Sequence, residues 1–261
     1  MNILITNDDS VNAPGLWTLA KALQELGTVT VVAPDRDQSG IGAALTLQSV
    51  VHTREIEPPP VEGIRTVSVQ GTPADCVVLA VETLVSGPID LLVSGINQGS
   101  NLGMDVMVSG TFGGAMQGYF RNIPSIAISV ASLSNVQYEA AALTAKTLAE
   151  SIASNGFAAP FMLNVNLPNA TSGRIHKVEI TRLGPRQYLE NVERGTNGRA
   201  THYWIKHNKS INPTVSEGTD IWAVRNSRIS ITPMNGLFGA DEASSGYQML
   251  ADDVATALGI V

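Results

Sequence analysis

Asn7, Asp8 and Asp9 stand directly after the apolar run Ile3-Leu4-Ile5, close to the start of the chain. Two adjacent carboxylates repel each other, so a folded site must protonate one, pair it, or bind a cation. No Lys or Arg precedes Lys21, which denies the pair a local partner. A hard divalent ion on oxygen ligands is the preferred answer; the competing reading is that Asp8 or Asp9 caps the next helix. A second stretch, Ser94-Gly95-Ile96-Asn97-Gln98-Gly99-Ser100-Asn101-Leu102-Gly103, offers three glycines and two asparagines and little to bury. Such a loop suits backbone that approaches a ligand. In the third, Ser109-Gly110-Thr111 opens a run of small residues, and a helix starting there presents free amides and hydroxyls to an anion. The same glycines could equally serve close helix packing. Ser39, in the loop 34–40, could reach the acidic pair or simply cap a turn.

The elements that must position these residues follow from apolar spacing. Residues 3–5 read as a buried parallel strand that releases Asp8 and Asp9 at its carboxyl end, where open α/β sheets keep their ligand crevice. Leu16, Leu19, Ala20 and Leu23 recur at helical spacing after Pro14, and 28–33 is a β-branched strand, which completes a βαβ unit. Residues 49–56 and 64–70 read as peripheral strands, 73–84 as a helix begun by Pro73, and 89–93 as the strand that feeds the Asn97 loop. A helix from 110 to about 120, a strand at 124–130, a helix at 138–153 and a strand at 161–165 continue the alternation. Beyond that it weakens. Residues 186–209 suggest an extended hairpin, and Tyr247, Leu250, Val254 and Leu258 share one face of a terminal helix at 245–258. That helix could pack on a partner subunit or on its own core. The expected architecture is a three-layer, Rossmann-like α/β fold with a mostly parallel sheet. An α/β core over 1–175 would carry the site, and a smaller C-terminal region over 176–261 would serve oligomerisation.

Composition excludes several classes. Of 261 residues, 44% are hydrophobic and 15% charged, enough for a sizeable core and against disorder. With 16 basic and 23 acidic residues the net charge is −7, so no nucleic-acid polymer is expected as a partner. Cys76 is the single cysteine, which rules out an intrachain disulfide and a multi-cysteine zinc site; within its apolar run it reads as a buried, inert thiol. His52, His176, His202 and His207 are scattered without ligand spacing. No stretch reaches the about 18 unbroken apolar residues of a membrane span, and a cytoplasmic protein is expected. There is no Walker lysine, and Gly40-Ile41-Gly42 lacks the remainder of a dinucleotide fingerprint.

Taken in order, Ile3-Leu4-Ile5-Thr6-Asn7-Asp8-Asp9, Ala13-Pro14-Gly15, Val32-Ala33-Pro34 with Gln38-Ser39-Gly40, and Gly71-Thr72-Pro73-Ala74-Asp75-Cys76-Val77 form a recognisable series. It continues through Asp90-Leu91-Leu92-Val93-Ser94-Gly95-Ile96-Asn97-Gln98-Gly99, Ser109-Gly110-Thr111, Asn164-Val165-Asn166-Leu167-Pro168, Thr219-Asp220 and Ser230-Ile231-Thr232-Pro233. Across nearly the full chain it resembles the stationary-phase survival protein family, SurE, whose members are metal-dependent 5′-nucleotidases and acid phosphatases. The resemblance implies one Mg²⁺ or Mn²⁺ per subunit on Asp8, Asp9, Ser39 and Asn97, with Asn97, Ser109, Gly110 and Thr111 contacting phosphate. It implies nucleoside 5′-monophosphate substrates, with 3′-monophosphates and short polyphosphate beside them. It also implies a homodimer through the arm and an exchanged C-terminal segment, with tetramers left open. Ser10 departs from the glycine usual after the acidic pair, Val108 from a tyrosine common before Ser-Gly-Thr, and 234–242 look atypical.

On this reading Asp8, Asp9 and Asn97 carry catalysis, Asp8 acting as nucleophile, as base, or only as a ligand. Arg36 and Asp37 could contact substrate or merely face water. Two other classes stay open: a nucleotide-binding regulator without chemistry, and a metal-using glycosyltransferase-like enzyme.

Overall fold

Ile3 and Ile5 point to one side of the first strand and Leu4 to the other, and each side enters a separate apolar core. In this computed structural model, residues 1–155, 160–198, 200–210, 214–234 and 245–260 are described. Strand β1 (Asn2–Thr6) is flanked by β2 (Thr28–Pro34) and β5 (Leu91–Gln98), both parallel to it. With β3 (Thr53–Glu55), β4 (Arg65–Val69), β6 (Ser125–Ala131), β7 (Met162–Pro168), β8 (Lys177–Ile180) and β11 (Arg228–Pro233) they form one nine-stranded sheet. Its order is β3-β4-β2-β1-β5-β6-β7-β11-β8. The run from β4 to β7 is parallel throughout; β3 and β11 are antiparallel to β4 and β7. The expected three-layer, mostly parallel architecture is the one observed.

Helices cover both faces. On one lie α1 (Pro14–Gln24), α4 (Glu139–Asn155) and α6 (Ser245–Ala257), which bury Leu16, Leu19, Leu148, Leu250 and Val254 against Ile3 and Ile5. On the other lie α2 (Pro73–Leu79) and α3 (Gly110–Tyr119), whose Val77 and Phe112 meet Leu4 and Val32. Helix α2 starts sharply because Pro73 occupies its first turn and Thr72 with Asp75 closes a capping box. The helix expected over 73–84 stops at Leu79 and continues as a π-helical turn over Ala80–Leu84. A short helix, α5 (Asp220–Arg225), packs on β7 and β11.

The sheet departs from expectation next to the site. The strand expected to end at Val93 runs on to Gln98, pairing Asn97 with Ser129 and Gln98 with Val130 after an irregularity at 95–96. Gly95 makes this continuation feasible: a Cβ there would lie 2.4 Å from the Ile128 carbonyl oxygen. Asn97 is therefore held by a strand rather than by a free loop.

The C-terminal region adds β8 and β11 to the same sheet. The expected hairpin is β9 (Tyr188–Asn197) with β10 (Ala200–Ser210), a separate two-stranded antiparallel sheet. In this single chain α6 packs on α4 and β8. Most of the atypical 234–242 segment lies outside the described residues.

Candidate metal and phosphate site

Sheet order reverses between β1 and β5: from β1 the chain first moves outward through β2, then returns to place β5 on the opposite side. At such a switch point the carboxyl ends of neighbouring strands splay and leave a crevice. Asp8 and Asp9 follow β1, Asn97 lies at the end of β5, and Ser109 caps the helix that leads back to β6. The three stretches singled out in the sequence converge here.

Asp8 is almost fully buried, and its Oδ1 accepts the Thr111 hydroxyl at 2.5 Å. The Thr111 backbone N–H also supports this carboxylate, so Asp8 rests against the positive end of α3. Burial is the main reason that its pKa is raised, and Asp37 adds to the shift by repulsion. Asp9 Oδ2 accepts the Gln98 N–H at 3.0 Å. Desolvation first, then the charges of Asp8 and Asp37, raise Asp9 to about 6. The competing cap reading fails for the next helix, because α1 has Ala13 at its N-cap and no side-chain cap.

Gly110 allows the close approach. A Cβ there would stand 2.8 Å from Asp8 Cβ and 3.0 Å from Asp8 Oδ2, so a larger residue would push the helix off the carboxylate. Ser109 Oγ accepts the Phe112 N–H at 3.1 Å, which leaves its own proton free to donate. The Asn97 amide nitrogen donates to the Gly99 carbonyl at 2.8 Å, leaving Oδ1 as the atom available to a cation. Ser39 is exposed; its N–H donates to Asp37 Oδ1 at 2.7 Å, and the preceding Gln38 N–H donates to the Asp8 carbonyl at 2.8 Å. That turn brings residue 39 alongside the acidic pair.

The candidate donors are all oxygen: two carboxylates, an amide and a hydroxyl. Among the described residues no group of three or more His, Cys, Asp or Glu could hold a metal. Asn7 Oδ1, beside the pair, is buried without a hydrogen-bond partner. Crowded, desolvated carboxylates with neutral oxygens nearby fit a hard cation such as Mg²⁺ or Mn²⁺ better than zinc.

The chain from residue 3 to 190 matches the family model described as survival protein SurE. The chain belongs to the SurE family. Curated relatives named 5′-nucleotidase SurE include that of Dehalococcoides mccartyi, 42% identical over 90% of this chain and 89% of its own length. That of Geobacter sulfurreducens is 42% identical over 90% and 88%. The crystal structure of the SurE protein from Aquifex aeolicus superposes with a TM-score of 0.75 at 39% identity, covering 89% of this chain and 92% of that one. Ser10, after the acidic pair, has a positive φ of 93°, a region that a residue with a Cβ rarely adopts.

Several residues at the site carried no signal in the sequence. Gln98 supplies the amide to Asp9, and its side chain is held by the Leu133 carbonyl at 2.7 Å and the Tyr138 hydroxyl at 3.4 Å. Asp105 accepts Arg186 Nε and the Gln187 N–H, and so ties the turn before Ser109 to the root of the arm. Cys76 is buried, with its thiol pKa pushed up by desolvation, as an inert thiol should be. His52 and His176 are exposed. No helix among the described residues is long and apolar enough to cross a membrane.

Proposed function

We propose that the chain hydrolyses phosphomonoesters, nucleoside 5′-monophosphates foremost, with one divalent ion on Asp8, Asp9, Ser39 and Asn97. The observation that carries this reading is a desolvated carboxylate pair, Asp8 buried and Asp9 half-buried, without a basic partner among the described residues, facing the N-terminus of α3 at the sheet's switch point. The names of the relatives support the same activity. A bound Mg²⁺ or Mn²⁺ would supply charge to neutralise the transferred phosphoryl group and to favour ionisation of water.

The chain's own groups do the rest. Thr111 fixes the orientation of Asp8, and the Gln98 N–H fixes Asp9. The Ser109 hydroxyl and the Gly110 N–H, at the positive end of α3, hold equatorial phosphate oxygens. Thr111 contributes to this less directly than its motif suggests, because its hydroxyl is engaged by Asp8. Asp8 itself is the candidate nucleophile or base, and a phosphorylated Asp8 trapped on quenching would identify it as the nucleophile. 3′-Monophosphates and short polyphosphate present the same terminal phosphoryl group.

The test is phosphate release from AMP with EDTA, then with Mn²⁺ or Mg²⁺ restored. Activity should vanish, return, and fall about 10³-fold in Asp8→Asn, the scale of losing one preorganised electrostatic group. Undiminished release with EDTA or in Asp8→Asn would sink the proposal, and AMP binding without release would favour a regulator.

The proposal extends to a homodimer formed through the arm, with exchange of the C-terminal segment. Val192, Tyr203, Trp204 and Ile205 are 58–74% exposed on the hairpin, an apolar surface that a second copy would cover. Light scattering on Trp204→Ser/Ile205→Ser should show a loss of mass; an unchanged oligomer would exclude the arm.

A further inference from the structure

Ile41 and Val108 are 38% and 40% exposed beside the phosphate turn, and neither has a role so far. Exposed aliphatic residues are ordinary, but here the backbone beneath them is pinned at successive points. The Gln38 N–H donates to the Asp8 carbonyl at 2.8 Å and the Gly42 N–H to the Val108 carbonyl at 3.0 Å. The Thr72 hydroxyl donates to the Ala44 carbonyl at 2.7 Å, and the Thr46 N–H and hydroxyl donate to the Asp75 carboxylate at 2.8 and 2.6 Å. Helix α3 closes on the same loop, since a Cβ on Gly113 would lie 2.3 Å from the Gly42 carbonyl oxygen. Residues 38–46 are therefore a fixed platform that ties Ile41 to Val108.

This platform touches the reacting end. A Cβ built on Gly110 would sit 3.1 Å from Ile41 Cγ2 and 3.0 Å from Asp8 Oδ2. The same few atoms of backbone separate the catalytic carboxylate from the aliphatic shelf. We propose that Ile41 and Val108 form the subsite for the leaving group, seating the nucleobase of a nucleoside monophosphate by one face. The proposal rests on the phosphomonoesterase reading of this site.

A phosphate held on Ser109 and Gly110 points its ester oxygen away from the helix end, and the shelf borders that exit. Both side chains lack polar atoms, so the shelf rewards area and reads no hydrogen-bonding edge. Every base is accepted, the larger purines better than pyrimidines. Esters without a base are poor substrates.

The experiment compares kcat/KM for AMP with that for ribose 5-phosphate, and measures AMP affinity by calorimetry with Mn²⁺ present. In Ile41→Ser/Val108→Ser the AMP to ribose 5-phosphate ratio should fall about tenfold, chiefly through KM for AMP. Withdrawing about 55 Å² of apolar contact gives that factor. AMP affinity should weaken in step, with the melting temperature confirming a folded variant. Leu47→Ser, at a residue 82% exposed and past the Thr46 anchor, should leave the ratio at the parent value. An unchanged ratio and affinity in the double variant, or an equal fall in Leu47→Ser, would overturn the shelf. If the parent released no phosphate from any ester, the phosphatase reading would fail and AMP affinity alone would decide. Tenfold weakening would then uphold the shelf, and unchanged or absent binding would overturn it.

Discussion

Asp220 is as completely buried as Asp8, yet the two carboxylates meet different surroundings. Asp220 accepts three backbone N–H groups, from Gly103 at 2.7 Å and from Gly184 and Ile221 at 2.8 Å. Asp105 is likewise served by Arg186 Nε and the N–H groups of Gln187 and Tyr188. Asp8 and Asp9 instead crowd each other, feel Asp37 as well, and draw on Thr111 and Gln98 for support. A carboxylate that the protein satisfies from within is an anchor. One that it leaves short of donors, next to another, awaits a ligand that brings positive charge.

The comparison can be broken from either side, and the largest effect should come from the anchor. Asp220→Ala would leave the buried N–H groups of Gly103 and Gly184 without an acceptor, at a cost of about 3–5 kcal/mol in stability. Urea denaturation would measure it, and a loss below about 1 kcal/mol would mean that water replaces the carboxylate. On the site's side, Thr111→Val removes a donor that lowers the Asp8 pKa. Turnover should drop about 10- to 100-fold, with the acid limb of the pH–rate profile moving to higher pH. Thr111→Ser should restore both; an unchanged acid limb would show that the Thr111 hydroxyl does not tune Asp8.

These contrasts explain what the sequence could disclose. The apolar run Ile3-Leu4-Ile5 that stops at Asn7 locates the acidic pair, and Ser109-Gly110-Thr111 announces a helix start, because both signals are local. Parallel packing then had little choice but to bring strand ends and helix starts to one edge. The anchors depend on contacts such as Asp220 with Gly103, 117 residues apart, which no periodicity encodes. The engagement of Thr111 with Asp8 spans 103 residues and is equally absent from any local pattern. The continuation of β5 to Gln98 was missed because Gly95 reads as a loop residue, while its role is to let Ile128 approach.

A smaller effect should carry the opposite sign from the anchor's. Asp9 is raised from the ordinary 3.8 to about 6 in the folded protein. A carboxyl so shifted favours the folded state below its unfolded pKa, and that benefit is lost as pH rises from about 4 to 6. Above pH 6 the metal-free protein holds an unfavourable, partly desolvated charge at Asp9. Asp9→Asn, whose amide oxygen can still accept the Gln98 N–H, should therefore stabilise the metal-free protein by about 1–2 kcal/mol at pH 8, with the gain fading towards pH 4. It should also lose the rise in melting temperature that Mn²⁺ gives the parent. If Asp9→Asn destabilised the metal-free protein at pH 8, Asp9 would be an anchor like Asp220.

The smallest effect concerns the turn that delivers the pair. Ser10 has φ 93°, a region that a residue with a Cβ rarely adopts. Its carbonyl accepts Asn7 Nδ2 at 2.9 Å and the Ala13 N–H at 3.1 Å, so the turn cannot relax without releasing Asn7. Ser10→Gly should relieve the strain, offset in part by the greater freedom of glycine in the unfolded chain. The expected net gain is about 0.5–1 kcal/mol, or about 1–4 °C in melting temperature for a chain of this size. Ser10→Ala separates strain from hydroxyl, because it keeps the Cβ and removes only the weak 3.3 Å contact with the Asn12 N–H. Strain predicts glycine above serine and alanine at or just below it; alanine and glycine both falling below serine would mean that the hydroxyl holds the turn.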